Sequence, residues 1–266
     1  MWRFLALFVA LVAGVGAAVW YYRASDAGPL SVVVSRGNDR WLDDLQSRTP
    51  KDVQAATAEL ENRGTTALPT IRRVLQDPDA PPARRKAALK ATAILGPRAA
   101  EAIPDVVSAL QRPEYSPEAA LALSFMGSAA VGPLRDAAKS DEPIVRRESL
   151  RSLGKLRERA SIDPQIVIPL LLDALQDPDP SVRNVAATYL GIVRDNPEKA
   201  VAGLIKALRD DEADVRQAAA VALAAYGADA EPAVPALKKA TNDPDEDVKR
   251  EAGRALVIIA EQKQAK

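Results

Sequence analysis

The sequence predicts an all-α solenoid of about six stacked helix pairs, and three observations carry that prediction. One sentence is written three times: Ile168 to Asp177 leads into Asp179-Pro180-Ser181-Val182-Arg183, and 33 residues later Val201 to Asp210 leads into Ala213-Asp214-Val215-Arg216. The third copy runs from Val234-Pro235-Ala236-Leu237 through Asp243-Pro244-Asp245 to Val248-Lys249. Apolar residues recur at helical rather than strand spacing, in a chain dominated by Ala, Leu and charged residues with only 4% aromatics, which is the composition of an all-α protein. Proline, glycine and aspartate punctuate each copy at matching places. A unit of this size cannot bury its apolar face alone, so copies stack into one continuous core.

Residues 1–23 predict a membrane-directed segment. Phe4 to Tyr22 carries no charge over nineteen residues, roughly 28 Å as a helix, close to the hydrocarbon thickness of a bilayer. Arg3 precedes it and Trp20-Tyr21-Tyr22-Arg23 closes it, an aromatic belt with a cationic stop. Three readings fit: an uncleaved single-pass transmembrane anchor, a secretory signal cleaved near Gly16, Ala17 and Ala18, or a buried core helix, with the anchor preferred. The three-residue tail ahead of the span favours an N-terminus in the cytoplasm and an extracytoplasmic (periplasmic) repeat domain. Arg23, Arg36 and Arg40 on the far side argue for the opposite orientation. Residues 24–40, with Gly28-Pro29 and Gly37-Asn38, form a tether.

The repeat domain spans 41–262. Trp41 to Leu45 predicts a lone helix closing the N-terminal end, where a stack needs an atypical unit. Helix pairs follow at 50–63 with 67–76, 81–95 with 99–111, 116–126 with 129–139, 142–157 with 164–176, 179–194 with 198–209 and 212–226 with 231–241, then a last helix at 245–262. Asp77-Pro78-Asp79, Asp177-Pro178-Asp179 and Asp243-Pro244-Asp245 each set a proline that stops one helix beside carboxylates suited to cap the next. Gly96, Gly127, Gly154, Gly191 and Gly227 fall where first helices want a left-handed C-cap. Pro69, Pro104, Pro169 and Pro235 fall near the starts of second helices, where a missing N–H costs nothing.

Composition excludes several chemistries. Lys plus Arg is 36 and Asp plus Glu is 36, so no net field draws nucleic acid to the chain. With no His and no Cys, imidazole and thiolate metal ligands, the Cys nucleophile and the usual base of a Ser triad are absent. Carboxylate clusters at Asp43-Asp44, Asp210-Asp211-Glu212 and Asp245-Glu246-Asp247 sit at helix ends, where capping explains them. No enzymatic activity, cofactor, metal or small-molecule substrate is expected. Phe125, Tyr189 and Tyr226 read as packing residues.

Asp177 with Arg183, Asp210 with Arg216, and Asp243 with Lys249 share a spacing of six. This spacing, the proline near each second helix and first helices of the Ala-Ala-x-x-Leu-Gly kind resemble the HEAT repeat, in the short bacterial form also seen in phycobilisome-lyase relatives. The resemblance covers about Trp41 to Ala260 and weakens between Tyr115 and Asp141, where the spacing contracts and Asp141 precedes Arg146 by five. It implies a right-handed, armadillo-like α-α superhelix. It also implies a structural ladder between repeats through Asp177, Arg183, Asp210, Arg216, Asp243 and Lys249, and second helices lining the concave side.

On that basis the variable columns of the second helices are the candidate partner-binding surface. One holds Arg72, Val107, Leu172, Ile205 and Lys238; beside it run Arg73, Ser108, Asp173, Lys206 and Lys239. Leu172 and Ile205 read either as an exposed apolar patch for a partner or as packing against neighbouring repeats. The function expected is a non-catalytic, membrane-tethered scaffold for protein–protein interaction. The alternatives are an accessory or chaperone subunit of a protein-modifying enzyme and a structural envelope protein.

Overall fold

A computed structural model describes residues 39–160 and 162–264, all helix and connecting turn, with no strand among them. The expected membrane segment at Phe4 to Tyr22 and most of the tether lie outside these residues. Among the described residues no helix is long and apolar enough to cross a membrane.

The chain opens with the short α1 (Arg40–Asp44), then runs as pairs: α2 (Pro50–Arg63) with α3 (Leu68–Gln76), α4 (Pro82–Leu95) with α5 (Ile103–Ala109), and α6 (Ser116–Leu123) with α7 (Val131–Ala137). The second half repeats the plan with α8 (Pro143–Ala160) and α9 (Pro164–Ala174), α10 (Pro180–Val193) and α11 (Pro197–Ala207), and α12 (Ala213–Tyr226) and α13 (Val234–Ala240). The unpaired α14 (Glu246–Gln264) ends it. In α1, Trp41 and Leu42 are buried, with Leu45 just beyond them, so this small helix covers the first pair. Even-numbered helices contact one another along the stack and form one layer; odd-numbered helices form the other.

Local chemistry sets the boundaries. Asp179 caps α10, its Oδ1 accepting from Ser181 N at 2.8 Å, and Asp245 accepts from Asp247 N at 2.9 Å and Val248 N at 3.1 Å; both satisfy N–H groups that a helix start leaves unpaired. Gly64, Gly96, Gly127 and Gly227 have φ of 54°, 57°, 74° and 55°, a region that favours glycine. The 3-10 segments Gly64–Ala67, Gly96–Ala102, Ser128–Ala130 and Gly227–Ala233 follow and shorten the helices after them. Asp163 caps α9 at Gln165 N, 2.9 Å, with Pro164 in the first turn. That earlier start leaves Pro169 inside α9, not at its beginning.

Two glycines have a different role from the C-cap expected of them. Gly154 and Gly191 lie within α8 and α10 with no positive φ. A Cβ on Gly154 would fall 2.0 Å from Tyr189 Cδ1, and one on Gly191 would fall 2.7 Å from Ala222 Cα. They are contact points where the next helix in the layer presses in. The left-handed residue after α10 is Arg194, with φ of 51°.

The core runs unbroken between the layers. Ile71, Val106, Leu171, Leu204 and Leu237 are each fully buried, contributing roughly 1.5–3 kcal/mol apiece, and Val74, Ala109, Ala174, Ala207 and Ala240 line the adjacent column. Tyr189 and Tyr226 are buried, Tyr226 donating to Leu190 O at 3.0 Å. Burial pushes both phenols up to about 12.

Candidate protein-binding surface

From α8 to α14 the even-numbered helices pack against each other along the stack, with the Tyr189 ring seated over Gly154 and the backbone of Ala222 close against Gly191. In the other layer Gly203 of α11 admits Leu172 and Leu175 of the preceding repeat. Each layer has one face turned away from the core.

The expected recognition columns sit on the second-helix layer. Arg72 is held by Asp105 at 2.7 Å. Val107, Leu172 and Ile205 are half-buried and pack against the core, and Leu172 Cδ2 lies 3.3 Å from where a Cβ of Gly203 would be, against the next helix of its layer. Asp173, Lys206 and Lys238 are exposed. Leu172 and Asp173 line a depression of 470 Å³ with Pro164, Asp195 and Lys199. Of the two readings of Leu172 and Ile205, the structure supports packing. Leu172→Ser is expected to lower stability by about 2 kcal/mol, a half-buried fraction of the usual large-to-small cost, measured by urea denaturation; an unchanged midpoint would return this side chain to the free surface.

The ladder follows the turns between helices. Arg183 meets Asp210 at 2.7 Å, and Arg216 meets Asp243 at 2.8 Å, in each case through Nε and Nη2 to both carboxylate oxygens. Nη1 of each arginine donates backward to the preceding turn, at Asp177 O and Pro178 O for Arg183 and at Asp210 O and Asp211 O for Arg216. Each aspartate also accepts from the backbone two residues on. Arg146 is a further rung, paired with Asp177 at 2.7 Å. The sixfold spacing thus marks the arginine's grip on its own turn, whereas the carboxylate it binds lies in the next repeat, 27 residues on for Arg183.

The ladder has two ends. Lys249, expected as a rung, has no following repeat to meet among the described residues and pairs with Glu246 at 2.6 Å on the surface. In the first half Arg85 grips Asp77 O and Pro78 O in the same manner, but its outward contact is the Tyr115 hydroxyl at 3.1 Å, with the guanidinium 5.0 Å from the ring centre. The shortened α6 carries no arginine to continue the series, which is where the repeat pattern weakens.

Helical geometry gives the outward face of the first-helix layer. With Gly191 against Ala222, Ile192 and Val221 both turn away from the second helices, and they are 41% and 46% exposed. Beside them α8 presents Arg147, Arg151, Lys155 and Arg159 at intervals of one turn. Fully buried Glu148 accepts from Arg147 at 2.9 Å and from Arg151 at 3.0 Å. Arg159 stacks 4.1 Å from the Phe125 ring centre. Lys155 is pushed below the ordinary lysine value by burial and by the charges of Arg159 and Arg151. None of these residues was chosen from the sequence, although the four-residue interval of cations was there to read. Among the described residues no group of carboxylates could hold a metal ion.

A sequence model of HEAT repeats matches residues 133–224 and 168–257, the half in which the ladder is continuous. No curated protein matches the chain. Among solved structures, the complex of CpcE and CpcF of phycocyanin lyase from Nostoc sp. PCC7120 is similar, with 27% identity and a TM-score of 0.51 over 58% of this chain and 98% of that one. Kap121p aligns with a TM-score of 0.64 and 16% identity over 84% of this chain and 29% of its own. Importin beta aligns with a TM-score of 0.63 and 15% identity over 85% of this chain and 34% of its own. The chain spans about a third of those two larger proteins, and they establish the fold alone. Repeat spacing, the stacked helix pairs, the arginine–aspartate ladder and these matches together make this chain a HEAT-like repeat protein.

Proposed function

We propose that this chain is a non-catalytic scaffold, tethered to a membrane by residues 1–23, whose first-helix face binds a partner protein. The observation that supports it best is that face itself, which exposes Ile192 and Val221 beside the cations of α8. A stack of this kind recognises a partner by offering side chains from several repeats at once, and a tether raises the local concentration at the bilayer. Cross-linking and mass spectrometry of the full chain with its co-purifying partner should place links on α8, α10 and α12; links confined to α9, α11 and α13 would overturn this assignment.

The tether reading rests on the sequence of Phe4 to Tyr22, with the repeats on the extracytoplasmic side and the anchor retained. The full chain should then fractionate with membranes and resist high-salt extraction, because apolar burial and not charge holds it. A soluble product with a mature N-terminus between Ala18 and Ser25 would show cleavage instead.

A second reading, an accessory subunit of a protein-modifying enzyme, is favoured by the similarity to CpcE and CpcF, which covers nearly the whole of the matched chain. A single stoichiometric enzyme among the cross-linked partners would support it over a general scaffold.

A further inference from the structure

We infer that the cationic stripe of α8, with Ile192 and Val221 beside it, receives an acidic segment of a partner protein that carries aliphatic side chains among its carboxylates. This rests on the reading that the first-helix face binds protein, and it names the chemistry of what is bound. The chain is balanced at 36 cations and 36 anions, yet α8 alone holds Arg146, Arg147, Arg151, Lys155, Arg157 and Arg159 against Glu148 and Glu158. Two of the six are committed elsewhere, Arg146 to the ladder and Arg157 to Asp195 at 3.2 Å.

The other four lie one turn apart, where like charges repel. Glu148 answers only the first two, and its carboxylate is fully buried beneath them. Arg159 has a neutral neighbour, the Ser124 hydroxyl, besides the Phe125 ring. Lys155 makes no hydrogen bond or ion pair among the described residues; its nearest charges are Arg159, Arg151, Glu148 and Glu158. The C-terminal end of the stripe thus has cationic donors in excess of carboxylates.

The neighbouring helices decide the class of anion. A phosphate backbone needs cations continued along its path, but α10 and α12 present Thr188, Ile192, Val221 and Ala225 on this face. Cations on one helix and aliphatics on the next two fit a protein segment with carboxylates on one flank and aliphatic side chains on the other, the complementarity that fixes register and speeds encounter.

The test uses the full chain in detergent micelles and fluorescence anisotropy with three labelled probes: a short peptide of Glu, Leu and Ala, its counterpart with Gln for every Glu, and single-stranded DNA of similar length. The acidic peptide should bind at least about tenfold more tightly than the Gln peptide, with an affinity that falls as salt rises. Lys155→Glu should remove most of that difference without lowering the melting temperature, because Lys155 has no partner to lose and the new carboxylate lies one turn from Arg151 and Arg159. Ile192→Ser should weaken the acidic peptide severalfold through lost apolar contact. Equal binding of the two peptides, an unaffected Lys155→Glu variant, or tighter binding of the DNA would each overturn the proposal. Partner cross-links that remain on α8, α10 and α12 while the acidic peptide fails to bind would overturn this chemistry and leave the protein-binding reading standing.

Discussion

Gly191→Val is expected to be among the most damaging single substitutions in the repeat domain, and Gly191→Ala to show the same effect in smaller measure. The new Cβ would lie 2.7 Å from Ala222 Cα and 2.8 Å from its Cβ. The first of these is backbone, so no rotamer change relieves it and α10 must move away from α12. Overpacking of this kind typically costs about 1–3 kcal/mol, and Val adds two further methyl groups to the same gap. Replacing a helical glycine by alanine otherwise stabilises by roughly 0.5–1 kcal/mol, which supplies an internal control. Gly253 lies within α14 with nothing within 4 Å of its would-be Cβ, so Gly253→Ala should raise the denaturation midpoint while Gly191→Ala lowers it. Ala222→Gly should restore part of the loss caused by Gly191→Ala. If Gly191→Ala and Gly253→Ala move stability in the same direction, the close packing of α10 on α12 at this point is wrong.

Those two glycines also show what the sequence could and could not convey. Helix positions were legible because their causes are local: Asp-Pro-Asp turns stop and restart the chain, and α2, α4, α10 and α12 begin and end within a residue or so of where turn chemistry puts them. A glycine late in a helix has two possible causes, a left-handed cap and a close neighbour, and the one-letter record is identical for both. Gly96 and Gly227 are the first kind, Gly154 and Gly191 the second. The difference lies in Tyr189 and Ala222, 35 and 31 residues further on. The exposed face of the first helices was illegible for a related reason: which of its positions stay uncovered depends on contacts between repeats, not on periodicity within one. The rung at Arg146 escaped notice because Ser140 stands six residues before it, where the other turns have aspartate, although Arg146 grips Ser140 O and Asp141 O at the same offsets as Arg183 and Arg216.

Removing an arginine from the ladder should cost more than removing any surface cation. Arg183→Met strips Asp210 of its bidentate partner and leaves the carbonyls of Asp177 and Pro178 without their side-chain donor. Breaking a deeply buried pair costs about 3–5 kcal/mol; here the side chains keep 16% and 11% exposure, so about 2–4 kcal/mol is expected at neutral pH. Because each repeat leans only on its neighbours, hydrogen exchange should quicken first between α10 and α12. Lys249→Ala is the contrast, since its partner Glu246 is 83% exposed, and melting should not change.

The loss should also depend on pH with a defined sign. Burial pushes Asp210 upward, but hydrogen bonds from Arg183 and the Glu212 N–H and the charges of Arg183 and Arg216 outweigh it and hold this carboxyl below its usual 3.8. Asp243 is held low chiefly by its hydrogen bond from Arg216. A carboxyl depressed in the folded state contributes its full stabilisation above the unfolded value and loses it as pH falls through the folded one. The gap in melting temperature between the parent chain and Arg183→Met should therefore be constant near neutrality and shrink below about pH 4. Pairing Arg183→Met with Asp210→Leu should recover much of the loss at neutral pH, because the carboxylate left without its partner is gone as well. A gap that does not change between pH 7 and pH 3 would mean that the arginine stabilises the turn through its carbonyl contacts alone, and that the ion pair contributes nothing between repeats.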